Sequence, residues 1–191
     1  MPIDKKTFLK TVTILYDTRE QKNQHILTAL GELGVPFEER KLDYGDYSFT
    51  TDGRDGSRLL DFSLSCVIER KANVDELYNN IMSDRGRLEK ELYAASQCAK
   101  QLTLIVENIG GWEELRSYRV PAWQMKANPQ RVKEDIGAPV YSTLKSWQSG
   151  NRYRFSVEFV PDKSQTAAKM LEIFYYYWRT YKEMTGVRKS G

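Results

Sequence analysis

Residues 62–71 read Phe62-Ser63-Leu64-Ser65-Cys66-Val67-Ile68-Glu69-Arg70-Lys71. They follow Gly45-Asp46-Tyr47-Ser48-Phe49-Thr50 across a turn-rich link, Thr51-Asp52-Gly53-Arg54-Asp55-Gly56. Two stretches rich in β-branched and aromatic residues, separated by turn formers, predict the arms of an antiparallel hairpin. Cys66-Val67-Ile68 is apolar on both faces, as a buried strand is, yet it runs straight into three charges. Strand side chains alternate, so Glu69 and Lys71 share one face while Ile68 and Arg70 point to the other. Pairing of the arms brings Asp46 beside Glu69. Two carboxylates from adjacent strands make a hard oxygen site for Mg2+ or Mn2+, and a lysine two residues on can orient or help deprotonate an attacking water. Such a set suits phosphodiester hydrolysis. The same spacing also fits a surface hairpin laced by cross-strand salt bridges.

Outward from the hairpin, Thr11-Val12-Thr13-Ile14-Leu15-Tyr16 predicts a strand, and Ile26, Leu27, Leu30 and Leu33 ahead of Gly34 predict a helix. Asp17-Thr18-Arg19-Glu20 therefore falls at a strand-to-helix junction, a position that often carries site residues. An acid drawn to a helix start explains Glu20 equally well. Phe37 to Leu42 reads as a further strand piece. Asn73 is placed to cap a helix with Glu76 three residues on, and Val74, Leu77, Tyr78, Ile81 and Met82 repeat at helical spacing. A second helical stretch runs from Gly86 to about Ala99. Leu102 to Val106 and Arg154 to Val160 predict two more strands, and Ser164 is the expected cap of a long helix bearing Ala167, Leu171, Phe174, Trp178 and Tyr181 on one face. Strands alternating with helices on both sides of a hairpin make a single α/β domain over residues 1–191, with a mixed sheet. Residues 116–137, with Pro121 and Pro129, read as an inserted loop with a short helix over Gln130 to Ile136.

Composition sets the outer bounds. A chain of 191 residues that is 40% hydrophobic and 29% charged, with 12 Gly and 6 Pro, is neither collagen-like nor low in complexity. No apolar run is long enough to span a membrane, and Met1-Pro2-Ile3-Asp4-Lys5-Lys6 has no apolar core of a leader. The expected location is the cytoplasm, or the nucleus in a eukaryote, without a membrane partner. Cys66 and Cys98 lack metal-ligand spacing and are expected as buried thiols. His25, the one histidine, falls near a helix start and is expected at the surface, which gives Ser–His or Zn–His chemistry little support.

The net charge of +3 hides an asymmetry, since residues 116–191 carry 14 basic against 6 acidic side chains. A local positive field suits a protein that grips phosphates. Within 116–137, Arg116, Arg119, Lys126, Arg131 and Lys133 outnumber Glu134 and Asp135, with Tyr118 and Trp123 interleaved. Arg119, Trp123, Lys126 and Arg131 are thus candidate DNA contacts, cations for phosphates and rings for unpaired bases. A solvated loop with Trp123 folded onto the core has the same composition. Tyr175-Tyr176-Tyr177-Trp178 places more aromatics in sequence than one helix stripe hides. That surplus predicts a homodimer or heterodimer through the C-terminal helix.

The motifs taken together resemble the nuclease domain of the XPF-type structure-specific endonucleases, including that of archaeal Hef. That family's G-D, then E-R-K-x-x-x-D, matches Gly45, Asp46, Glu69, Arg70, Lys71 and Asp75, and its upstream D-x-R-E matches Asp17, Arg19 and Glu20. The similarity runs from about Val12 to Glu183. It implies a restriction-endonuclease-like fold of the PD-(D/E)XK kind, a central mixed sheet flanked by helices. It also implies a metal-dependent DNA endonuclease acting on branched, flapped or forked DNA in repair, recombination or replication. Mg2+, with Mn2+ as substitute, would be bound chiefly by Asp46 and Glu69, with Asp17 and Glu20 nearby. Lys71 would be the catalytic lysine, Arg19 and Arg70 would support the site or the phosphate, and Asp75 would be a supporting acid. The family's downstream D-G-R and glutamine appear here as Asp84-Arg85-Gly86-Arg87 with Glu91, a departure that carries Arg87 over as a DNA contact. The helix-hairpin-helix domain common after this nuclease domain is not expected before Gly191. The alternative is an inactive nuclease fold that recruits DNA or a partner. Asp46, Glu69 and Lys71, all retained, favour the enzyme.

Overall fold

Strand β5 (Cys66–Lys71) is buried along its whole length and runs through the middle of a mixed sheet. The computed structural model describes residues 4–52, 59–128, 133–149 and 152–185. Among these, β1 (Val12–Tyr16), β2 (Phe37–Glu39), β3 (Tyr47–Thr51), β4 (Leu60–Asp61), β5, β6 (Gln101–Glu107) and β7 (Ser156–Val160) form one sheet. Its order is β2-β1-β3-β5-β6-β7, with β4 paired to β3 off that path. β3 is antiparallel to both β1 and β5, while β1–β2, β5–β6 and β6–β7 are parallel. The expected hairpin is therefore present, with Tyr47 opposite Ile68.

Alternation along the strands divides the interior into two cores. Val12, Ile14, Phe49, Cys66, Ile68 and Ile105 face helices α1 (Lys5–Thr11), α2 (Gln24–Glu32) and α8 (Thr166–Met184), through Phe8, Ile26, Leu30, Phe174 and Trp178. Val67, Leu102, Leu104 and Val106 face α3 (Val74–Met82), α4 (Arg85–Cys98), α5 (Trp112–Arg116) and α7 (Gly137–Ser149), through Leu77, Ile81, Leu92, Leu115 and Leu144. A sheet covered on both faces buries every position of its central strand. Glu69, Arg70 and Lys71 are buried for that reason, and each must find a partner or a task.

Several elements differ from the sequence reading. Residues 116–137 are not a plain loop, because α6 (Ala122–Ala127) forms where none is expected and no helix covers the described part of 130–136. Buried Leu115, Val120 and Ile136 pin the segment down. α7 (Gly137–Ser149), which the sequence reading did not propose, opens with Gly137-Ala138-Pro139. Gly137 is required there, since a Cβ would collide with the Leu115 carbonyl oxygen. α1 is short, and its cap is local: Asp4 accepts from the Thr7 amide at 2.7 Å. α8 is preceded by a 3-10 turn (Lys163–Gln165) capped by Asp162, which accepts from Ser164; the hydroxyl of Ser164 is not the cap. The capping of α3 is as read, with Asn73 accepting from the Glu76 amide at 2.8 Å.

The aromatic surplus of α8 is mostly absorbed. Trp178 is buried, Tyr175 packs on Phe8, and Tyr177 and Tyr181 stand edge-on to Phe62, so α1 and the β4–β5 turn embrace flanks that a single stripe would leave bare. Tyr176 alone of the run is exposed, at 55%. Cys66 is buried as expected, whereas Cys98, in the last turn of α4, is exposed.

Candidate active site

Gly45 turns the chain into β3 with φ +66°, and a Cβ on it would lie 2.9 Å from the Ile68 carbonyl oxygen. Only glycine lets the two backbones approach this closely. The next residue, Asp46, is thereby set against β5: its amide donates to Ile68 O at 2.8 Å and its Oδ2 accepts from the Arg70 amide at 2.7 Å. On the same face Lys71 Nζ donates to Glu69 Oε1 at 2.7 Å. Burial and the neighbouring Glu69 carboxylate hold the Asp46 carboxyl well above the usual range. Burial works against the Lys71 ammonium, but Glu69 and Asp46 outweigh it and hold its pKa above the ordinary lysine value. Lys71 is therefore a buried cation facing two carboxylates.

These side chains line a cavity of about 790 Å³ that also takes in Arg19 and Glu20 after β1, Asn73, Glu76 and Asn80 on α3, and Arg87, Lys90 and Glu91 on α4. Arg87 reaches Glu91 at 3.1 Å and Asp84 at 3.5 Å, both exposed pairs that a phosphate can displace. Glu76, Asn80 and Lys90 do not stand out in the sequence as site residues. The spacing of Asn73, Glu76 and Asn80 on one face of α3 is the signal that could have found them.

Behind β5 the charges are matched. Arg70 donates to Glu107 Oε2 at 2.7 Å and to Glu20 Oε1 at 2.9 Å, and its side chain is 3% exposed. Burial opposes the Arg70 charge, but Glu20 and Glu107 more than offset it. Glu107 also receives the Thr166 hydroxyl at 2.6 Å and pairs with His25 at 2.8 Å. His25 is thus not a free surface residue, since α2 tilts its ring inward onto the end of β6.

The profile described as the ERCC4 domain matches residues 16–173. The chain belongs to the ERCC4 domain family. Its fold is that of this family's nuclease domain, restriction-endonuclease-like, with the mixed sheet flanked by helices. Among solved structures it is similar to XPF from Aeropyrum pernix, 18% identical with a TM-score of 0.58, over 91% of this chain and 68% of that one. It is also similar to XPF from Aeropyrum pernix in complex with DNA, 18% identical with a TM-score of 0.55, over 88% of this chain and 66% of that one. The chain thus spans about two thirds of those chains. No curated protein matches it. ERCC4 membership makes it a member of a DNA endonuclease family.

Within the ERCC4 fold the motif residues divide. Asp46, Glu69, Lys71, Arg19 and Glu20 reach the cavity, and Arg70 lines it at the base. Asp17 does not line it: Oδ1 accepts from the Arg19 amide and guanidinium, and Oδ2 accepts from the Leu42 amide at 2.7 Å. Burial opposes the Asp17 charge, but Arg19 and the two amides hold its pKa below the usual carboxylate range. Asp75 also does not line the cavity; its Oδ2 accepts from the Tyr118 hydroxyl at 3.1 Å, tying α3 to the segment after α5. That bond holds the Tyr118 hydroxyl, and the half-buried ring, which the sequence offers for stacking, packs against the core. Trp123 is 68% exposed and is not folded onto the core. Arg119 and Lys126 are exposed as well, and Arg131 lies outside the described residues. Among the described residues no helix is long and apolar enough to cross a membrane.

Proposed function

We propose that this ERCC4 domain is a divalent-metal-dependent DNA endonuclease acting on branched, flapped or forked DNA. One observation carries it: among the described residues Asp46 and Glu69, two carboxylates on the floor of a cavity, share one close buried cation, Lys71. Among the described residues no three His, Cys, Asp or Glu side chains cluster as a ready cage for a metal. Mg2+ does not need one, since it commonly binds through one or two carboxylates and completes its shell with water and substrate phosphate. Asp46 Oδ1 and Glu69 Oε2 make no hydrogen bond among the described residues and are the fitting donors. Asp17, with both oxygens engaged, acts as a brace for the β1–α2 junction.

A cation held by Asp46 and Glu69 supplies charge neutralisation at the phosphate under attack. The chain's own groups do the rest. Lys71, kept cationic by its neighbours, orients the attacking water or a phosphate oxygen from the Glu69 side. Arg19 after β1 and Arg87 on α4, both lining the cavity, hold the flanking phosphates, and Trp123 with Arg119 and Lys126 meets unpaired bases and backbone beyond the cavity. The 116–137 segment thus serves as a DNA-contacting insertion of a single nuclease domain, and Tyr176 is left to a second copy or a heteropartner. A labelled panel of single-stranded, duplex, flap, fork and four-way DNA, with Mg2+, Mn2+ or EDTA, tests the proposal. Cleavage of branched members with either metal is expected, and full activity in EDTA or no cleavage of any member would overturn it.

A further inference from the structure

We infer that Glu107 is a positioning residue for the catalytic centre, acting through Arg70 on the opposite face of the sheet and assisted by His25 and Thr166. The assignment rests on the nuclease reading of the cavity. The path is short: two hydrogen bonds joined through the covalent frame of Arg70. The Arg70 amide holds Asp46 Oδ2 at 2.7 Å, so the place of that carboxylate is set by the backbone of Arg70. The Arg70 guanidinium, pointing the other way, is gripped by Glu107 at 2.7 Å and by Glu20 at 2.9 Å. Glu107 is 1% exposed, and its other oxygen takes the Thr166 hydroxyl at 2.6 Å and His25 at 2.8 Å.

Both oxygens of a buried carboxylate are thus filled by groups from three separate elements, β5, α2 and α8. A buried ion pair of this kind adds little to stability over an apolar pair of the same shape, but it fixes geometry, because each partner is costly to leave unpaired. Here the geometry fixed is that of the strand carrying Glu69 and Lys71. Partners that orient metal-binding carboxylates from behind change metal affinity or rate by about 10- to 100-fold when removed.

Glu107→Gln keeps the shape and removes the charge. Mn2+ binding by calorimetry, native-state hydrogen exchange at the Arg70 amide, and the cleavage rate at saturating metal are measured on the whole chain. The expected result is Mn2+ binding weaker by about 10-fold or more, faster exchange at Arg70, and a rate lowered about 10- to 100-fold with the DNA Kd unchanged. Should Glu107→Gln fail to fold, Thr166→Val removes one donor to the same oxygen and is expected to move all three readouts in the same direction by a smaller factor. Lower unfolding stability with Mn2+ affinity and Arg70 exchange unchanged would overturn the inference, leaving Glu107 a structural residue. Wild-type protein that binds Mn2+ yet cleaves no DNA would instead defeat the nuclease reading, while Mn2+ affinity and Arg70 exchange still decide the role of Glu107.

Discussion

The two faces of β5 carry the same kinds of charge and treat them in opposite ways. Behind the cavity, Arg70 sits between Glu107, toward α2 and α8, and Glu20, which also reaches the cavity, and each acid has a cation within 2.9 Å. On the face toward α3 and α4, Asp46 and Glu69 share Lys71, and the Asp46 carboxyl is pushed up by burial and by Glu69. A balanced buried network holds shape. An unbalanced one stores a demand for positive charge, which a metal ion can answer. On the proposed function, the unbalanced face is the one that works on a substrate and the balanced one supports it.

The largest effect is expected on the balanced face. Arg70→Met leaves Glu20 and Glu107 buried without their cation, and removing one partner of a buried pair costs about 3–5 kcal/mol. Urea denaturation is the check, and a loss under about 1 kcal/mol would erase the contrast between the faces. On the cavity face the effect divides differently. Asp46→Asn should slow cleavage at least about a thousandfold, roughly 4 kcal/mol of transition-state stabilisation. It removes a carboxylate that folding penalises, so its unfolding free energy should equal or exceed that of wild type. A variant that is both inactive and clearly less stable would make Asp46 part of the scaffold.

The sequence showed the cavity face more readily than its support. Gly45-Asp46 and Glu69-Arg70-Lys71 are contiguous strings, and strand alternation alone puts Glu69 and Lys71 together. Glu107 and His25 are 82 residues apart, and nothing local in Leu104-Ile105-Val106-Glu107 announces that its last residue meets α2 and α8. That contact depends on parallel β5–β6 pairing, which only the packed sheet determines. The same limit hid α7, whose Gly137 makes sense only beside the Leu115 carbonyl. Asp17 and Asp75 show the same limit from the other side. Their motif positions were legible, but their bonds to Leu42 and Tyr118 come from chain segments far along the sequence.

Acid titration sharpens the comparison at a smaller scale. In metal-free protein Asp46 has a raised folded pKa, so the folded state binds more protons than the unfolded one, and stability falls as pH climbs from the unfolded value near 3.9 toward the folded pKa. Asp17 has a lowered one, so its contribution is present above about 3.9 and is lost as pH falls through its folded pKa. Each unit of difference is worth about 1.4 kcal/mol. Urea denaturation in EDTA across this range should show Asp46→Asn gaining on wild type as pH rises. Asp17→Asn should trail wild type at neutral pH and close the gap in acid. Parallel curves for all three proteins would mean that neither carboxylate is perturbed as the geometry requires.

The smallest effect belongs to Trp123, and it asks whether the working face extends beyond the cavity. Its ring is 68% exposed on α6, and the chain entering α6 is anchored: Val120 donates to Glu134 O at 2.9 Å, and Tyr118, just before it, bonds Asp75 on α3. A fixed exposed ring near Arg119 and Lys126 can stack on a base that has left its partner, an interaction worth about 1–3 kcal/mol per base. With one face of the ring in play, the low end applies, about fivefold in Kd. Trp123→Ala should therefore leave unfolding free energy within about 0.5 kcal/mol of wild type and duplex affinity unchanged, while weakening flap and fork binding. Arg119→Ala and Lys126→Ala should act on all substrates alike and lower the salt slope by about 0.9 for each phosphate no longer neutralised. Fluorescence titrations of the three variants on duplex and flap DNA at several salt concentrations separate these terms. Equal losses for Trp123→Ala on duplex and flap would make the ring a general backbone contact, and no loss on either would confine DNA recognition to the cavity.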